Sequence, residues 1–148
     1  MKSLINKITN TTAGLDTLPL RIGAGVIFAA HGAQKLFGWF GGYGLEGTGA
    51  WMASIGIEPG VLMAALAGSA ELFGGLFLIV GLLVRPAAVV LAITMIVAIA
   101  TVHLQHGLFI SNNGYEFGLA LLVISVGLVF RGAGSISVDH VLHVQTAK

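Results

Sequence analysis

The chain has no cysteine, only three prolines, and few charges: 9% of its 148 residues are Asp, Glu, Lys or Arg. Each shortage excludes something. Without cysteine there are no disulfides, thiolate metal sites, cysteine nucleophiles or Cys-ligated iron–sulfur clusters, so any redox role must use another group. A net charge of +1 with no basic run or interleaved aromatic patch sets nucleic acid aside as a partner. Soluble domains are roughly a quarter charged. This chain is 56% hydrophobic instead, which predicts an all-α protein whose partner is the lipid bilayer.

About 20 apolar residues span a bilayer core. Four stretches qualify, at about 18–37, 61–84, 86–104 and 114–131, and together they leave no room for a soluble domain. The expected unit is therefore one integral membrane domain over 1–148, a four-helix transmembrane bundle. Asp16, Thr17 and Pro19 suit the first turn of the first span, and the glycines around Gly38, Gly41 and Gly42 close it. No small-residue cleavage site follows Pro19, so the first span reads as retained. Arg85-Pro86 is read as the tight break between the second and third spans. Cytoplasmic flanks carry the excess of Lys and Arg. Lys2, Lys7, Arg21, Arg85, Arg131 and Lys148 fall on one side and Lys35 on the other. Both termini are thus expected to be cytoplasmic, in a multi-pass protein of the inner membrane. Trp39, Phe40, Tyr43 and Trp51 then lie in the outer loop, where aromatic rings favour the lipid–water interface.

Glu71 is the only charge between Val61 and Val84. A carboxylate at that depth costs several kcal/mol unless neutralised or paired. At 100° per residue, Ala64, Ala67, Gly68, Gly74 and Gly75 lie within about 60° of it, which places the acid in a close helix contact. On the first span, Arg21, Ala24, Phe28, His31, Gln34 and Lys35 share an arc of roughly 140°. Counting 1.5 Å per residue, His31 and Glu71 lie roughly 20 and 18 Å from the inner surface, so His31 is the first partner considered for Glu71. Lys35, one turn further out, is the competing one, and Arg21 sits too near the inner end. A carboxyl with no cation beside it would be neutral, and one beside Lys35 or a charged His31 ionised.

A second polar group gathers at the outer end. His103 and His106, three apart, and Tyr115-Glu116 are candidates to line one outward-facing pocket with Gln34 and Lys35. Simpler readings stand beside these. Asn113-Gly114-Tyr115-Glu116 resembles a capping box, in which Glu116 serves free helix amides. His31 and Lys35 would also suit a structural pair that fixes helix register. No metal site is expected: His103 and His106 are the only candidates, and a His-x-x-His pair lacks a third firm ligand. His140 and His143 fall in a polar tail and read as solvated.

Several segments, in order, resemble the DoxX family of small four-helix membrane proteins. They are Arg21, His31-Gly32-x-x-Lys35-Leu36, Ala70-Glu71-x-x-Gly74-Gly75, Gly81-Leu82-x-x-Arg85-Pro86-Ala87-Ala88, Tyr115-Glu116 and Gly132-x-Gly134-Ser135-x-Ser137-x-Asp139. The likeness runs from about residue 18 to 142. It implies quinone-linked redox work of the thiosulfate:quinone oxidoreductase type, with His31, Lys35, Glu71 and Glu116 as carried-over positions. A quinone, not covalently bound, would be the cofactor. Its head group needs donors and a proton route, which His and a carboxylate provide, and an apolar wall, for which Phe28 is suited. Arg21, Gln34, His103 and Tyr115 complete the substrate-binding candidates beside Phe28 and Glu116. The chain has no electron carrier of its own, so a flavin, a partner redox subunit or the quinone itself would carry electrons. Two other classes remain open. Intramembrane His, Lys and Glu also suit a small proton-coupled transporter, although four spans make a narrow bundle unless a homo-oligomer forms. A buried polar face also suits an assembly or scaffold subunit.

Overall fold

A computed structural model describes residues 9, 11 and 14–146 of the chain. Lys2, Lys7 and Lys148, three of the expected topology markers, lie outside the described residues. Among those described there are six α-helices and no strand. They are α1 (Thr17–Phe37), α2 (Gly44–Ser54), α3 (Gly60–Val80), α4 (Val84–Ala98), α5 (Glu116–Arg131) and α6 (Val138–Thr146). Beyond Ala98, α4 continues as a π turn, Ile99–His103, and a 3-10 turn, Leu104–His106. Two helices are long and apolar enough to cross a membrane, Gly60–Val80 and the continuous Val84–His106. Helix α1 is as long as α3 but carries Arg21, His31, Gln34 and Lys35.

The distribution of side chains is inverted relative to a water-soluble domain. Arg21, Glu71, Ser125 and Asp139 are buried, whereas Leu66, Phe73, Ile93, Val97, Val123 and Phe130 are exposed. Lysine-like charges face out in water and apolar side chains face in; lipid reverses the second preference and forces ionisable groups inward. The interior is filled by Phe28, Leu78, Val84, Leu91, Met95, Leu121 and Leu128.

The break between α3 and α4 falls earlier than Arg85-Pro86. Gly81 caps α3 at φ 72°, and Leu83 turns the chain at φ 49°. Pro86 sits in the first turn of α4, where no helical hydrogen bond is lost by lacking an amide. The 38–60 loop also contains a helix that hydrophobic periodicity does not mark. Helix α2 lies against the start of α3 because Gly49 faces Val61 and Gly60 faces the Gly49 carbonyl, so closely that a Cβ on either would overlap its neighbour. Nor is the segment after Arg131 a solvated tail. Gly132, Ala133, Gly134 and Asp139 are buried, and His140 and His143 are half-buried. Thr17 donates to the Ala133 carbonyl at 3.1 Å and the Ser135 amide to the Gly14 carbonyl at 3.0 Å, closing this segment over the start of α1.

Candidate functional site

Helices α1 and α3 meet backbone to backbone. A Cβ on Gly25 would lie 2.8 Å from the Gly75 carbonyl oxygen, one on Gly75 would lie 2.6 Å from the Gly25 oxygen, and one on Gly32 would overlap the Leu72 amide. Only glycine permits such an approach, as in small-residue packing of membrane helices. The seam brings Lys35 to Glu71: Nζ donates to Oε2 at 2.6 Å. The lysine side chain is 25% exposed and the glutamate side chain 5%. The missing Cβ of Gly68 makes room for the Leu36 side chain and for the Cβ of Lys35.

His31 does not take the carboxylate. Its ring faces Phe117 on α5, with centroids 6.1 Å apart and planes tilted by 52°. The reason is angular. Relative to Gly25 in the seam, Lys35 lies about 80° around α1 and His31 about 120°, and the lysine stem has the reach to return to the seam. His31 and Lys35 nevertheless share one side of α1, a single turn apart, with His31 exposed and Phe117 opposite. Lys35 also lies in the last turn of α1, beside the loop that exposes Trp39, Phe40 and Tyr43.

The other candidates lie elsewhere. Arg21, fourteen residues before Lys35, is about 21 Å away along α1. Its Nη1 donates to the Leu78 carbonyl at 2.8 Å and its Nη2 to the Ile136 carbonyl at 2.6 Å. It braces the C-terminal end of α3. Phe28 is 1% exposed in the core and presents no free wall to a ligand. Gln34 donates to the Phe40 carbonyl at 3.2 Å and so holds the turn after α1. His103 Nδ1 lies 2.8 Å from the Asn113 carbonyl. Glu116 makes no capping box. Its Oε1 accepts the Ile110 amide at 2.6 Å, securing the loop ahead of α5. Tyr115 is half-buried beside it, its amide bonded to the Gly107 carbonyl at 3.0 Å. Among the described residues no three His, Asp or Glu side chains are grouped to hold a metal, His103 and His106 included.

Two residues escape the sequence reading. Phe117 is flagged only by adjacency to Glu116. Asp139 appears in the Gly132–Asp139 motif, yet nothing in that motif discloses its partners, the Leu83 and Val84 amides at 2.8 and 2.9 Å. Two crevices are also present, about 230 Å³ between α3 and α4 by Ser69, Phe73 and Phe77, and about 340 Å³ between α2 and α3 by Glu46 and Glu58. Neither is lined by His31, Lys35 or Glu71.

A helical, inside-out apolar chain with a largely buried ion pair between glycine-packed helices defines the class: a membrane protein. Residues 17–104 match the DoxX family model, and the chain belongs to the DoxX family. It is 35% identical over 130 residues to a Bacillus subtilis (strain 168) protein named "Putative oxidoreductase CatD", covering 88% of this chain and 89% of that one. Two Haemophilus influenzae proteins, each named "Uncharacterized protein", are similar to it. One is 29% identical over 135 residues, covering 90% of this chain and 87% of its own. The other is 32% identical over 128 residues, covering 82% and 86%. No solved structure matches the chain.

Proposed function

We propose that the chain is a four-span protein of the inner membrane, formed by α1, α3, extended α4 and α5, that serves as a quinone-linked subunit of an oxidoreductase. The end that gathers Arg21, Arg85 and Arg131 is cytoplasmic, and Lys35 lies toward the outer side. The single observation that carries the reading is the Lys35–Glu71 pair: an ammonium held at 2.6 Å by a buried carboxylate yet one-quarter exposed, with His31 one turn away on the same side. The name of the Bacillus subtilis relative, an oxidoreductase, supports the same class.

A quinone head group fits these residues. Glu71 takes one of the three N–H donors of Lys35, and the partly exposed ammonium can offer another to a ligand oxygen. The His31 imidazole offers a second hydrogen-bonding nitrogen, and the Phe117 ring an apolar edge in place of the buried Phe28. A quinone bound here supplies the two-electron chemistry. The chain's own groups bind and orient it, and His31 and the Lys35–Glu71 pair carry protons between the ligand oxygens and the outer side. The chain holds no cysteine to ligate a cluster, so electrons come from a flavin, a partner redox subunit or the quinone itself.

The test is binding of ubiquinone and menaquinone to purified protein in nanodiscs. Lys35→Met and Glu71→Gln are each expected to weaken binding at least tenfold, about 1.4 kcal/mol, close to the lower end of what one charge-assisted hydrogen bond contributes. Wild-type protein that binds neither quinone above the lipid background sinks the reading. Proteoliposome uptake that requires Glu71 would instead favour a carrier.

A further inference from the structure

Helix α6 has two unlike faces. Asp139 is buried and His143 half-buried on the side that packs against the bundle. Val138, Val141 and Val144 are 40%, 53% and 44% exposed, and at 100° per residue they fall within an arc of about 120° on the other side. Three valines, with the exposed Gln145 at the edge between Val138 and Val141, form the free face of a nine-residue helix. Apolar groups nearby continue the surface. Leu15 and Ile136, both exposed, flank the hydrogen bond between the Ser135 amide and the Gly14 carbonyl. Phe130, 73% exposed, adjoins Arg131, whose guanidinium pairs with Asp16 next to Leu15. Above Phe130, the exposed Val126 and Val123 carry the apolar surface along α5.

We infer that α6 lies in the interface of the bilayer, with Val138, Val141 and Val144 set into the boundary between head groups and acyl chains. The inference rests on the membrane-spanning reading above and adds a second mode of lipid contact, an in-plane helix at the end that bears Arg21, Arg85 and Arg131. With Asp139 and His143 packed on the protein, the side of α6 turned outward is the apolar one, which is the side that an interfacial helix sets into the boundary region. A second copy of the chain is the poorer occupant, because three valines fall far short of the roughly 800 Å² per partner that a stable interface buries. The charge pattern agrees. Arg131 and Asp16 sit between the apolar groups, at the height where head groups and water meet.

The absence of cysteine makes the test direct, since one introduced thiol is unique. Val141→Cys and Val144→Cys, each nitroxide-labelled in phosphatidylethanolamine–phosphatidylglycerol nanodiscs, are compared with Val123→Cys on α5 and Ser111→Cys in the outer loop. All four side chains are exposed, so labelling leaves the packing intact. Collisions with oxygen report lipid, and collisions with a water-soluble nickel chelate report solvent. The expected result is that 141 and 144 follow 123, with oxygen access raised and nickel access lowered relative to 111. Labels at 141 and 144 that match 111 while 123 remains lipid-like overturn the inference and leave the spanning reading intact. Dipolar broadening at 141 assigns the face to a second copy and also overturns it. Nickel access at 123 itself refutes the spanning reading and this inference with it.

Discussion

Arg21 and Asp139 grip one short turn from its two ends. Arg21 Nη1 donates to the Leu78 carbonyl at 2.8 Å, where α3 ends, and Asp139 accepts the Leu83 and Val84 amides at 2.8 and 2.9 Å, where α4 begins. A helix terminates with unsatisfied carbonyls and starts with unsatisfied amides, and the dipole favours a cation at the first and an anion at the second. Each charge therefore stands where the backbone calls for it. The Asp139 amide returns a hydrogen bond to the Gly81 carbonyl at 2.9 Å, and Arg21 reaches on to Ile136. The network ties α1, the α3–α4 turn and the 132–139 segment together at the end of the molecule opposite Lys35.

Asp139→Ala should destabilise the fold by about 3 kcal/mol, because it strands the buried Val84 amide and the part-buried Leu83 amide and removes the countercharge nearest a buried guanidinium. Asp139→Asn keeps one acceptor and should cost about 1 kcal/mol, the usual scale of a helix cap. Equilibrium unfolding in mixed micelles measures both. Equal stability of the wild type and the alanine variant would show that the turn needs no cap.

The α1–α3 seam gives an internally controlled pair of substitutions. Gly32→Ala places a methyl against the Leu72 amide and 2.7 Å from the Gly68 carbonyl oxygen, all backbone that cannot rotate away. Overpacking of this kind costs about 1–3 kcal/mol, and here it also moves Lys35 from Glu71. Gly23→Ala, with nothing within 4 Å, should be neutral or stabilising by about 0.5 kcal/mol through reduced backbone entropy. A Gly32→Ala protein as stable as Gly23→Ala would mean that the helices do not touch at Gly32.

Much of this arrangement is legible in the sequence, and the rest is not for identifiable reasons. The carboxylate at Glu71 amid small residues announces a tight, paired contact, since an acid in lipid admits few alternatives. Height along a helix, though, does not select the partner. His31 matches Glu71 in depth, but Lys35 reaches the seam, because angle and side-chain length decide. Helix α2 is hidden by its glycines, which read as loop until Gly49 is seen against Val61 and Gly60 of α3. The 132–139 segment looks like an exit because its bonds are to residues more than fifty positions away, such as Gly81, Leu83 and Val84. Periodicity carries no signal of that kind. Gln34 and Glu116 read as ligand groups for the converse reason: a polar side chain that serves a nearby loop amide or carbonyl is indistinguishable, in sequence, from one that serves a substrate.

Acid should loosen the contact between the start of α1 and the end of α5 through Asp16. The Arg131 guanidinium, 2.5 Å away and hydrogen-bonded to it, holds the Asp16 carboxyl below its ordinary value. A depressed folded-state value contributes stability that is present above the unfolded value, near 3.9, and lost as pH falls through the folded one. The pair is open to solvent, so salt should weaken it. Melting curves from pH 5 down to pH 2 should show an acid loss in the wild type that is smaller in Asp16→Asn and Arg131→Gln. Identical acid profiles in all three proteins would exclude the pair as a contributor.

The Lys35–Glu71 pair predicts strong coupling between two substitutions. Glu71→Gln leaves an ammonium at the α1–α3 seam without its countercharge, and Lys35→Met leaves a nearly buried carboxylate without one, its side chain being 5% exposed. Removing one partner of a buried ion pair costs about 3–5 kcal/mol, whereas replacing both by neutral groups of similar volume is often close to neutral. Each single variant should therefore lose about 3 kcal/mol, and the Lys35→Met/Glu71→Gln double variant should recover more than 1 kcal/mol relative to the sum. Stability and quinone binding should then part company. The double variant regains the fold but not the ligand, because methionine offers no donor to a ligand oxygen. Additive losses in stability would mean that the two charges are not paired in the bilayer. Restored binding in the double variant would show that the pair serves only the packing of α1 on α3, and the polar site would have to be sought around His31 and Phe117 alone.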